Sequence, residues 1–198
     1  MSSSFAIKVL GMGCFCLIFS LCSAQTSVLQ SGYWYKVGVE KRGMYKIDYE
    51  QFKAMGFDLT SDPRKIRIYG QGGGMLPQRN SEPRPVDLSE NAIFVSGEGD
   101  GVFDKGDFIL FFAEGPDKVH YDVARDVFNY ESNLYSEKNF YFITVSPDAG
   151  KRVSQLENIP GSYPAIQHFD DYAYHESDEY NELQSGREWF GERYDLVT

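Results

Sequence analysis

The sequence predicts an all-β fold, a mainly antiparallel β-sandwich with one or two short helices. Three observations point to it. Aromatics are abundant, with 15 Phe, 14 Tyr and 2 Trp in 198 residues, and aromatic side chains favour strands. Short apolar segments recur between Gly, Pro and Asp turns, giving about eight strand-length runs. No coiled coil, internal repeat or low-complexity tract competes with that reading.

In chain order, Tyr33 to Glu40 alternates: Tyr33, Tyr35, Val37 and Val39 share one face, and Lys36 and Glu40 share the other. Gly43 marks a turn, and Met44 to Ile47 reads as the returning strand of a hairpin. Asp48 is a candidate N-cap for a short helix through Met55, stopped by Gly56. After Pro63, Lys65 to Tyr69 reads as a strand with Ile66 and Ile68 inward. Glycines 72–74 and prolines 77, 83 and 85 predict a long surface loop. Ala92 to Val95 resumes strand. Phe108 to Ala113 and Phe140 to Val145 are six-residue, nearly continuous apolar runs, the pattern of strands buried on both faces. A hairpin is expected around Ala124, Arg125 and Asp126, and a short polar helix over Glu176 to Gln184.

The first 24 residues read as a signal peptide rather than part of the fold. Lys8 precedes an uncharged run, Val9 to Leu21, too short for the roughly 20 residues of a membrane span. Cleavage is expected after Ala24, with a retained signal anchor as the alternative. A lipoprotein reading is weaker, because Leu21 precedes Cys22 where a small residue is expected. All three cysteines, Cys14, Cys16 and Cys22, lie in this leader. The rest of the chain therefore offers no thiol nucleophile and no thiolate metal site. The domain reading is 1–24 signal peptide, 25–184 β-sandwich domain, and 185–198 the start of a linker.

A net charge of −10 argues against nucleic acid as a partner, since phosphate contacts need clustered Lys and Arg. The strongest local signal lies between Ser96 and Asp107, where Glu98, Asp100, Asp104 and Asp107 alternate with glycines. Asp100, Asp104 and Asp107 are candidate calcium ligands, with Glu98 a poorer fourth, because hard cations take several oxygens. The spacing is not that of an EF-hand. The alternative is an Asp/Gly turn whose carboxylates cap backbone N–H groups. The glycines at 72–74 lack the Lys-Ser/Thr of a P-loop and the spacing of a dinucleotide site, so a turn is expected there. His168, Asp170, Asp171, His175 and Glu176 form a loose polar group without the HExxH pattern of zinc peptidases, and His120 reads as structural. No GxSxG elbow is present. Arg187, Glu188, Trp189 and Glu192 make a charged-aromatic patch that reads either as an interdomain contact or as a half-buried aromatic with paired neighbours.

Six stretches taken in order resemble one family. They are Gly32 to Val37 with Gly43 to Ile47; Ile66 to Gly70; Gly72 to Leu76; Glu90 to Val95; Gly99 to Asp104; and Ser185 to Glu192. Together they look like the N-terminal region of the PorU family of type IX secretion sortases, which are gingipain-like cysteine peptidases. The resemblance implies a longer parent on the outer-membrane surface. That parent carries a Cys/His peptidase domain and removes C-terminal secretion signals from cargo. It further implies the peptidase domain, other type IX secretion components and cargo as partners. The chain is expected to stop where the peptidase domain begins, so no catalytic residue carries over to it. Two readings of other classes stand beside this one. The first is a stand-alone, calcium-stabilised secreted binding or adhesion module. The second is a small hydrolase using His168 or His175.

Overall fold

The computed structural model describes residues 26–157, 161, 164–168, 172–175, 177, 179–186 and 189–194. The expected signal peptide and the candidates Arg187 and Glu188 lie outside the described residues, as do Asp170, Asp171 and Glu176. Among the described residues no helix is long and apolar enough to cross a membrane.

Among the described residues nine strands form: β1 (Tyr35–Val39), β2 (Gly43–Asp48), β3 (Ile66–Gly70), β4 (Ser89–Asn91), β5 (Ile93–Ser96), β6 (Phe108–Ala113), β7 (Lys118–Asp122), β8 (Val127–Glu131) and β9 (Asn139–Val145). They assemble into a four-stranded sheet ordered β1-β9-β3-β4, a three-stranded sheet ordered β2-β6-β5, and the β7-β8 hairpin. Pairing between the named strands is antiparallel throughout. The inward residues of the two larger sheets close a single core containing Val39, Ile66, Ile68, Tyr141 and Ile143 from one and Ile47, Ile93, Ile109, Phe111 and Ala113 from the other. The all-β sandwich is therefore the fold observed.

Among the described residues one α-helix forms, α1 (Tyr49–Ala54), and it begins as its sequence dictates. The Asp48 carboxylate accepts from Gln51 N, and the Gln51 side chain accepts from Asp48 N, satisfying two end groups at once. The helix stops at Met55, and Gly56 follows with φ +82°. Its buried Phe52 stacks on Phe57 and meets Phe103 edge-on, plugging one end of the core. Ile66 and Ile68 point inward, and residues 123–126 turn the β7-β8 hairpin, with Asp126 at φ +56°.

Three sequence expectations fail, each for a physical reason. The first concerns the stretch from β1 to β2, which is not a hairpin. β1 pairs with β9 and β2 with β6, so the chain steps from one sheet to the other across Glu40 to Arg42. It steps again at Ala92, between β4 and β5. Alternation reports which face is buried, not which strand is the neighbour. The second concerns Phe108 to Ala113, which is buried on one face only. Phe112 on the outer face is 44% exposed. That face stays apolar because cations cover its rings: Lys46 Nζ lies 4.5 Å from the Phe108 centroid and Arg42 5.4 Å from that of Phe112. Lys36 does the same over Phe140, at 3.6 Å. The third concerns residues 179–186, which form an isolated bridge and turns in place of the expected helix. Asn181 competes for the backbone there: its side chain donates to Ser185 O and accepts from Ser185 N.

Candidate functional site

The acidic loop connects β5 to β6. A single 3-10 turn, Glu98–Asp100, sits between Gly97 and Gly101, both left-handed at φ +83°. Asp100 Oδ1 accepts from Val102 N at 3.0 Å, and Asp107 Oδ2 accepts from Asp104 N at 2.9 Å. Asp107 N in turn donates to Asp104 O at 3.0 Å. These bonds hold the backbone around Phe103, which is buried against Phe52. Glu98 turns away to pair with Arg152 Nε at 2.7 Å. The same guanidinium donates to Pro63 O and Ile66 O, clamping the loop to the entry of β3. Arg152 had no motif around it in the sequence; only the return of residues 151–153 alongside Ile93 brings it here.

Asp100, Asp104 and Asp107 thus share a loop without converging on a point. Among the described residues, no group of three or more His, Cys, Asp or Glu side chains could hold a metal ion. Two of the three carboxylates already serve the loop's own N–H groups. The expected result of thermal melts is a midpoint unchanged by millimolar calcium. A calcium-dependent rise abolished in Asp104→Asn would establish the metal site instead.

The second candidate is the C-terminal segment. Tyr172 and Tyr174 lie over Phe128 and Tyr130 of β8, with centroids 5.1 Å and 3.3 Å apart. The chain then folds back on itself. Tyr180 and Phe190 exchange backbone hydrogen bonds of 2.9 and 2.7 Å, and His175 Nε2 meets Glu192 Oε1 at 2.7 Å. That contact holds the Glu192 carboxyl below its usual range. Trp189 is 49% exposed and faces residues 132–138 across an open cleft of about 860 Å³. Of the four patch residues, Trp189 and Glu192 are therefore placed within one folded-back segment. The histidines do not cluster: His168 is exposed, His120 stands opposite Asn129 in the β7-β8 hairpin, and His175 is engaged by Glu192.

No family model matches the chain, and no curated protein matches it. Among solved structures, the chain is similar to the crystal structure of dimeric latent PorU from Porphyromonas gingivalis, with 32% sequence identity and a TM-score of 0.50. The similarity covers 66% of this chain and 11% of that one, so the chain matches only a small part of the neighbour's length.

Proposed function

We propose that this chain is the N-terminal, non-catalytic β-module of a PorU-like type IX secretion sortase, exported to the outer-membrane surface, where it supports or orients a cysteine peptidase domain of the same parent. The observation that carries this reading is the 32% identity to PorU over 66% of the chain. The six ordered sequence stretches point the same way. The absence of cysteine after Cys22 fits a supporting role, because a peptidase of that chemistry needs a thiolate. The folded-back segment holding Trp189 and Glu192 offers a half-exposed aromatic surface for the neighbouring domain.

An immunoblot of the outer-membrane fraction with antibody against residues 26–157 tests the reading. The expected band is far larger than the 22.6 kDa of this chain. A band near the chain's own size would overturn it and favour a free-standing secreted binding module.

A further inference from the structure

The glycine run at 72–74, expected as a plain turn, is instead packed tightly. A methyl group on Gly73 would collide with Gly115 O and the Glu114 side chain, and one on Gly74 would collide with the Lys118 stem. On its other side Gly115 abuts Lys41 and Arg42, which a methyl would meet at 3.1–3.2 Å. Three connections, β1-β2, β3-β4 and β6-β7, are thus held together through glycines with no room for a side chain. They form the floor of an open cleft of about 620 Å³, with Tyr130 and Tyr172 in its wall.

The charges in this cleft are unevenly committed. Glu114 is paired with Arg42 at 3.3 Å and Glu40 with Lys138 at 3.0 Å. Asp117 accepts from Tyr130 Oη at 2.6 Å and from Asn133 N at 2.8 Å. Lys41, Lys118 and His120 line the same space. Among the described residues, their side chains have no hydrogen-bond or ion-pair partner. Lys118 is also braced by Gly74, which limits the freedom it would lose on taking a ligand.

We propose that this cleft binds an organic anion, with its carboxylate or phosphate held by Lys41 and Lys118 beside His120 and its flat apolar part laid against Tyr130 and Tyr172. A preformed floor, uncommitted donors and an aromatic wall make a small-ligand site in a chain whose overall charge is strongly negative. The proposal does not depend on the sortase reading, and the immunoblot above does not bear on it.

The test is a titration of the full chain with 3-phenylpropionate, phenyl phosphate and neutral 3-phenylpropanol, followed by amide chemical shifts. Saturable shifts at Gly72, Gly115 and Lys118 are expected with one or both anions and not with the alcohol. Carboxylate alone or phosphate alone would identify the source of the charge. Binding should weaken with added salt. It should fall at least about tenfold in Lys41→Ala/Lys118→Ala, which loses two charge-assisted contacts. It should be unchanged in Lys53→Ala/Lys105→Ala, which loses the same charge away from the cleft. Equal binding of the alcohol, equal weakening in the two double variants, or no saturable shift with either anion at millimolar concentration would overturn the proposal.

Discussion

Tyr141→Ala should cost the fold about 3–5 kcal/mol, the range for removing a large buried aromatic. At that size the thermal midpoint should fall by on the order of 10 °C. Tyr141 stands in β9, central in the larger sheet, and is 1% exposed. Its ring crosses to the other sheet and meets Phe111 at 5.5 Å. Its hydroxyl accepts from Glu114 N at 2.7 Å, where the chain leaves β6. Tyr141→Phe keeps the ring and orphans that N–H, so it should cost about 1–3 kcal/mol. Burial, the leading cause, holds the Tyr141 hydroxyl above its usual range, so it remains protonated at neutral pH.

The same ring can be challenged from its other side. Gly70 closes β3 against Tyr141, and a Cβ there would lie 2.5 and 2.6 Å from two ring carbons. Gly70→Ala should cost about 1–3 kcal/mol through overpacking. In a Tyr141→Leu background the ring is gone and the Gly70→Ala penalty should shrink. Denaturant melts of the four chains measure this directly. An undiminished penalty would show that the glycine is required for its backbone and not for the ring.

These residues show how unevenly the molecule could be read. Local rules worked where one segment contains its own answer. Asp48 and Gln51 are three apart and cap each other. Ile66 and Ile68 alternate into the core. The turn at 124–126 carries Asp122 accepting from Ala124 N and Arg125 N. The rules failed where the answer lies on another strand. Nothing in Tyr35–Val39 says that its partner is β9, about a hundred residues later. Phe112 reads as core until Arg42 is seen lying over it. Arg152, the clamp on the acidic loop, has no local signature at all. The anion cleft is more distant still, because Lys41, Gly73, Gly115 and Lys118 meet only once the chain has crossed between the two larger sheets three times. The acidic loop was visible as a cluster, but composition alone could not separate carboxylates gathered around an ion from carboxylates turned onto their own backbone.

That distinction makes Gly97→Ala the second large expected effect. Gly97 has φ +83°, a conformation that costs other residues about 1–2 kcal/mol. Its absent Cβ leaves the space occupied by the Asp107 carboxylate, which an alanine methyl would strike. Asp107 would have to swing away and release Asp104 N, loosening the loop that keeps Phe103 in the core. Strain and overpacking together should cost about 2–4 kcal/mol. Gly99→Ala is the control: it lies in the same turn with open space around it and no positive φ, so it should be close to neutral. Combining Gly97→Ala with Asp107→Ala removes the collision and leaves the strain and the lost bond to Asp104 N, a loss both single variants share, so the pair should cost less than the sum of its parts. The calcium reading predicts a different pattern. If a cation organised these carboxylates, millimolar calcium would restore much of the stability lost in Gly97→Ala by drawing Asp107 to a new position. With the carboxylates bound to their own N–H groups, calcium should restore nothing, and the loss should remain the sum of the backbone strain and the Asp107 collision.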